Sequence, residues 1–140
     1  MAKLYTAHVD VRSGRDGSIR SEDGLLDARL AFPKSLGGDG LGTNPEQLFA
    51  AGYAACFGST LSALAKAGGT PIRDVAIASE VDMLHDQGTF DLALRLTVSA
   101  AGADRQRLEA LIEQAKEACP YSRATRNSLS TTISVAEGIH

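Results

Sequence analysis

Read for its alternation of apolar and polar positions, the chain opens on short strands, passes into one long apolar run and returns to strands. Leu4 to Arg12, LYTAHVDVR, alternates with β-branched and aromatic content and predicts a strand. Ser13-Gly14-Arg15-Asp16-Gly17 predicts a tight turn. Ser18 to Glu22 and Leu25 to Phe32 predict two further strands, with Asp23-Gly24 as the hairpin signal between them. Pro33 to Gly42 is a glycine-rich loop. The period then changes. From Thr43 to Gly68 the pattern is helical, with Thr43 or Asn44 as cap, Pro45 in the first turn and Glu46 or Gln47 completing a capping box. No charge follows Glu46 until Lys66, and no polar stripe appears, so this helix is expected to be buried on nearly all sides.

The second half repeats the alternation with clearer punctuation. Pro71 to His85, containing DVAIASEVDML, predicts a strand, Asp86-Gln87-Gly88 a turn, and Thr89 to Ala100 its partner strand. Asp104 caps a second helix whose apolar positions Leu108, Leu111, Ile112, Ala115 and Cys119 recur at helical spacing, and Pro120 stops it. Ser130 to Ala136 predicts a last strand. The order β-β-β-α-β-β-α-β implies an antiparallel α+β fold, and 140 residues without repeat or linker imply a single domain over 1–140.

Composition narrows the chemistry. The apolar share of 44% and charged share of 22% are those of an ordinary globular chain. A net charge of −3 argues against nucleic acid or an anionic membrane as partner, and Ser59, Thr60 and Ser62 argue against the long helix as a membrane span. The start, MAKLYTAHVDV, lacks the apolar core of a signal peptide, so a cytoplasmic location is expected. His8, His85 and His140 share no metal-ligand spacing, and no bound cofactor or metal is expected. Chemistry then rests on cysteine, arginine and carboxylate.

Cys56 lies mid-way along the long helix and Cys119 at the end of the second, before Pro120. Either could be a small core hydrophobe. Both lie on helices that should pack together, so Cα atoms within the disulfide range of about 4.4–6.8 Å are feasible. They do not form the CxxC of a thioredoxin-like reductase. Arg15, between two glycines of its turn, projects a guanidinium in a defined direction or is plain solvated surface; Glu46 is a helix cap or a site residue. Glu46 and Cys56 are roughly 15 Å apart along a straight helix, so one compact site needs Arg15 as a bridge or a second subunit.

The segments SGRDG, GGDGLGTNPEQLFAAGYAACF and ACPYSRATR resemble the organic hydroperoxide resistance (Ohr) family, a branch of the OsmC-like superfamily, and the resemblance runs from Leu4 almost to the C-terminus. CPYS favours the Ohr branch. The resemblance implies antiparallel sheets around a long central helix and a second helix, in an intertwined homodimer. It also implies a thiol peroxidase that reduces organic hydroperoxides, fatty-acid-derived ones included, with dihydrolipoamide on a lipoylated protein as the external reductant. Matching positions make Cys56 the peroxidatic cysteine, Cys119 the resolving cysteine, and Arg15 with Glu46 the activating pair. Phe49 and Phe57 are candidates for an apolar substrate lining, with core packing as their competing role. Two positions depart from the family pattern: Ser13 stands for the first glycine of GGRxG, and Asn127 for the glycine of ATRGN. The competing readings are an OsmC-branch peroxidase with another reductant, and a non-catalytic stress or binding protein with structural cysteines.

Overall fold

The structure, a computed structural model, describes residues 1–140. The chain divides into two compact units, Met1–Leu48 and Phe49–His140.

The first unit is a three-stranded antiparallel meander of β1 (Val9–Arg12), β2 (Ser18–Ser21) and β3 (Asp27–Arg29). Val9 faces Ser21 across the first pair and Ser18 faces Arg29 across the second. All three strands are shorter than their alternation predicts. At the β2–β3 end the Ser21 N–H still donates to the Leu26 carbonyl at 2.8 Å, but side chains take the return bonds: Ser21 Oγ donates to Asp23 at 2.6 Å, and the Leu26 N–H donates to Ser21 Oγ at 2.9 Å. Such local side-chain bonds compete with strand pairing. The turn between β1 and β2 is a short 3-10 segment, Gly14–Asp16, entered through left-handed backbone at Ser13, φ 62°, and Gly14, φ 73°. Three backbone bonds then stitch the unit together. Leu30 N–H donates to Gly17 at 2.8 Å, Ala31 N–H to Thr43 at 2.9 Å, and Thr43 N–H to Arg29 at 2.9 Å. The Arg15 turn, the end of β3 and the start of the long helix are thus neighbours.

In the second unit β4 (Arg73–Asp86) and β5 (Thr89–Ala101) form a long hairpin, closed by Gln87 and Gly88, both at positive φ. This is the primed geometry that matches strand twist. β6 (Ser130–Val135) lies on the other side of β5 and pairs with it in parallel, Ala93 to Ser130 through Val98 to Val135. The expectation of antiparallel pairing throughout therefore holds for three of the four strand pairs. The exception follows from connectivity, since a helical crossover returns the chain to the same end of the sheet.

Alternate β5 residues Leu94, Leu96 and Val98 are buried, while Arg95 on the opposite face pairs with Asp82 at 2.6 Å. That apolar face receives α1 (Pro45–Ala67) and α2 (Arg105–Ala118). α2 contributes Leu108, Leu111, Ile112 and Ala115, as its spacing predicts, and the Asp104 side chain accepts from the Arg107 N–H to start it. α1 differs from its expectation. It buries only Tyr53, Phe57, Leu61 and Ala65, one residue per turn, whereas Ala51, Ala55, Ser59 and Ser62 are exposed. A helix with an apolar stripe all round has been given only one covered face by this chain. By length and composition α1 could also cross a membrane, with a mean hydropathy of 1.4, yet its buried stripe belongs to the core of this unit.

Candidate active site

The residues singled out in the sequence fall into two pairs and two aromatics. In the first pair, Cys56 and Cys119 bring their sulfurs to 3.7 Å as free thiols, with the Cys119 thiol placed to donate. Cys56 precedes Phe57 on α1, at the edge of the buried stripe, and is half-buried; Cys119 is fully enclosed. Cys119 sits where α2 ends. Its backbone is extended, φ −64° and ψ 125°, its N–H closes the last turn on Ala115 at 2.8 Å, and Pro120 starts a further short helix, α3 (Pro120–Ala124). Proline suits that first position because its missing N–H would have no partner there. The break turns the Cys119 side chain toward α1 instead of along α2.

α3 brings in residues that sequence reasoning did not single out. Tyr121 lies over α1 with its ring 5.6 Å from Tyr53 and 6.4 Å from Phe49. Gly52 allows this approach: a Cβ there would stand 2.6 Å from the Tyr121 hydroxyl. Ser122 is buried and hydrogen-bonded to the Tyr53 hydroxyl at 2.7 Å. The available signal was the Cys-Pro start itself, which can begin a helix as well as end one.

Burial pushes the Cys56 thiol above its ordinary value; the Tyr121 backbone N–H pulls against that rise, and the adjacent Cys119 thiol adds to it. Within this environment Cys56 is a thiol at neutral pH, and a cation is needed to make it a nucleophile.

The second pair is Arg15 and Glu46. The guanidinium donates twice, Nη1 to Oε2 at 2.9 Å and Nη2 to Oε1 at 2.6 Å, a fork-on-fork contact. The bond from Arg15 holds the Glu46 carboxyl below the usual carboxylate range, and the same bond raises Arg15. The expected capping box forms in part and through Gln47, whose side-chain oxygen accepts from the Thr43 hydroxyl at 2.7 Å instead of from a cap N–H. Asn44 caps α1 by accepting the Gln47 N–H at 2.9 Å, and Glu46, freed from capping, turns to Arg15. A bidentate bond to a guanidinium engages both carboxylate oxygens, where capping would engage one with a single backbone N–H.

Of the two aromatics expected in a substrate lining, Phe57 is 0% exposed within the core. Phe49 packs at the core's margin, with ring centroids 6.1 Å from Tyr53. Asn127, the second departure from the family pattern, adopts the left-handed backbone, φ 67°, that a glycine there would supply.

Residues 37–134 match the OsmC-like protein family. The chain is 43% identical over 135 residues to the organic hydroperoxide resistance protein of Xanthomonas axonopodis pv. citri, covering 95% of each chain. It is 42% identical over 132 residues to the organic hydroperoxide resistance protein OhrB of Bacillus subtilis, covering 93% of this chain and 96% of that one. Among solved structures it resembles an organic hydroperoxide resistance protein from Legionella pneumophila, with a TM-score of 0.91 and 41% identity over 96% of this chain and 99% of that one.

Proposed function

The chain belongs to the organic hydroperoxide resistance group of the OsmC-like family, and we propose that it is a two-cysteine thiol peroxidase that reduces organic hydroperoxides to alcohols. The observation that carries this reading is the thiol pair, with sulfurs 3.7 Å apart, one half-buried and the other enclosed. In the proposed cycle the Cys56 thiolate attacks the peroxide, the O–O bond breaks, and the alcohol leaves with a proton. Cys56 is left as a sulfenic acid. The Cys119 sulfur attacks that sulfenic sulfur, water leaves, and a Cys56–Cys119 disulfide forms. A dihydrolipoyl group on a partner protein reduces the disulfide by thiol exchange and is itself oxidised.

The remaining residues take roles consistent with that chemistry. Matching family positions make Arg15 the proposed source of the positive charge that favours the Cys56 thiolate, since a guanidinium stays protonated at any working pH. Glu46 fixes the fork of Arg15 through both carboxylate oxygens. Phe49, at the margin of the core that Phe57 helps to fill, provides apolar surface that favours fatty-acid-derived hydroperoxides over hydrogen peroxide. The exposed stripe of α1, from Ala51 through Ala55 and Ser59 to Ser62, is covered by a second copy of the chain in a homodimer. Free thiols and a dithiol reductant fit a reducing, cytoplasmic compartment.

The test compares single variants under lipoyl turnover. Cys56→Ser is expected to consume no hydroperoxide. Cys119→Ser is expected to react once and then over-oxidise at Cys56 when peroxide is in excess. A Cys56→Ser protein that consumes as much hydroperoxide as Cys119→Ser would overturn the assignment. A panel of dihydrolipoamide, thioredoxin and glutathione as reductants is expected to show turnover with the first alone; equal rates with all three would remove the lipoyl step.

A further inference from the structure

We infer that the buried hydroxyl pair Tyr53–Ser122 is the positioning element of the cysteine pair, holding the turn that bears Cys119 on α1 and so setting how readily the two sulfurs join. Its catalytic meaning rests on the two-cysteine reading above; its effect on sulfur placement does not.

The geometry is that of a two-rung ladder. Tyr53 stands three residues before Cys56 on α1, and Ser122 three residues after Cys119 at the start of α3. Residues three apart share one face of a helix, about 4.5 Å apart along its axis. One rung is the Tyr53 hydroxyl to the Ser122 hydroxyl at 2.7 Å, the other Cys56 Sγ to Cys119 Sγ at 3.7 Å. The segments run in opposite directions across the ladder, so the hydroxyl rung fixes both the spacing and the register of the sulfur rung.

The turn has two other anchors, the Tyr121 ring on α1 and the exposed Arg126–Glu117 pair at 3.0 Å, and neither lies between Ser122 and α1. α3 has five residues, too few to be stable as an isolated helix. A cavity of about 230 Å³ lies beside it, lined by Tyr53, Ser122, Thr125, Leu129 and Ile133, so packing does not hold the turn on that side. Tyr53 is 1% exposed and Ser122 8% exposed, so removing either hydroxyl takes from its partner the one direct hydrogen bond that joins α1 to the turn here. The Tyr53 ring is itself held by Phe49 and Phe57 at 6.1 Å and 6.5 Å between centroids, which makes it a fixed post.

The pair therefore acts on one step and spares the other. Attack on the hydroperoxide uses Cys56 alone. Closure requires the Cys119 sulfur to reach the Cys56 sulfenic sulfur: the S–O bond breaks, the S–S bond forms, and the hydroxyl leaves with the Cys119 proton as water. A loosened turn slows closure and leaves the sulfenic acid open to further peroxide.

Tyr53→Phe, Ser122→Ala and the double variant test this with two readouts. The first is the redox equilibrium of the Cys56–Cys119 disulfide against dithiothreitol, which reports the effective concentration of one thiol at the other and involves no peroxide. Each single variant is expected to lower it about three- to tenfold, and the double no further, because one interaction is lost in all three. Ser122→Thr, which keeps the hydroxyl, is expected to restore it. The second readout is a single turnover with cumene hydroperoxide. Formation of the sulfenic acid, trapped with dimedone, is expected at the wild-type rate, and disulfide closure slower by the same factor. Wild-type values in both readouts for Tyr53→Phe and Ser122→Ala would overturn the inference, as would a double variant showing the product of the single effects. Should Tyr53→Phe fail to fold, Ser122→Ala against Ser122→Thr decides alone. A wild type that consumes no hydroperoxide, with the dithiothreitol equilibrium still shifted in the variants, would remove the peroxidase reading and leave the positioning role standing.

Discussion

Helices α1 and α2 deliver one sulfur each to the same point, but they are built on opposite plans. α2 is amphipathic: Leu108, Leu111, Ile112 and Ala115 are buried, and the solvent side carries Glu109, Glu113, Lys116 and Glu117. Its cysteine comes at the end, where Pro120 breaks the helix. α1 has no polar face. It buries Tyr53, Phe57, Leu61 and Ala65, exposes small residues opposite them, and carries its cysteine mid-helix on the flank between the two. A helix with a charged outer face has found all its partners within one chain. One with an apolar outer face presents the surface that the proposed second copy would cover.

The largest expected effect tests that difference directly. Ala55→Glu puts an uncompensated carboxylate on the outer stripe of α1, at a cost of about 3–5 kcal/mol if a second copy covers it. Sedimentation is expected to show a monomer that keeps its fold by circular dichroism. An unchanged dimer would place the contact elsewhere; a chain that is monomeric before the substitution would remove it. On α2 the large effect should appear inside the chain. Leu111→Ala opens a cavity in the core and is expected to cost about 2–5 kcal/mol in urea unfolding, with the oligomeric state retained.

Smaller effects sharpen the comparison at the point where the helices meet. Gly52→Ala pushes against the tip of the Tyr121 ring; its crowding cost of about 1–3 kcal/mol, less about 1 kcal/mol returned by the better helix former, is expected to lower the melting temperature slightly. Smaller still is the acid dependence of the pair at the start of α1. Bonding to Arg15 lowers the Glu46 carboxyl, so the unfolded chain takes up the proton first as pH falls. The pair's contribution is fully present above the ordinary glutamate value of about 4.3 and is lost as pH drops through the lowered folded value. Glu46→Gln is expected to flatten that part of the stability–pH curve; an identical slope in the variant would contradict it. Smallest is Lys116→Ala on the wet face of α2, whose exposed pair with Glu113 is worth about 0–1 kcal/mol.

The same contrast explains what could be read in the chain and what could not. α2 was legible to the residue, because Asp104, the apolar spacing and Pro120 all act locally. The β4–β5 hairpin was legible for the same reason. α1 was placed correctly, but its burial was overstated, since apolarity says that a face will be covered and not by which chain. The parallel direction of β6 depends on where a crossover lands, which no local pattern encodes. Within the candidate site, both cysteines, Arg15 and Glu46 stood out by residue type. Their pairing was implied by the family resemblance and not by any local pattern, because it arises from contacts 63 and 31 residues apart. Tyr53 and Ser122 lay inside the motifs that carry the resemblance, but no role could be read for them until the structure put their hydroxyls 2.7 Å apart.

The central claim, that the 3.7 Å thiol pair is a redox couple driven by organic hydroperoxide, has one direct measurement. The reduced protein is given one equivalent of cumene hydroperoxide, its free thiols are counted, and its intact mass is recorded. The account predicts that both thiols disappear, that the chain becomes lighter by two hydrogen atoms, and that peptide mapping joins Cys56 to Cys119. Two thiols still free, with the hydroperoxide unconsumed, would contradict it and leave Cys56 and Cys119 as residues of the core.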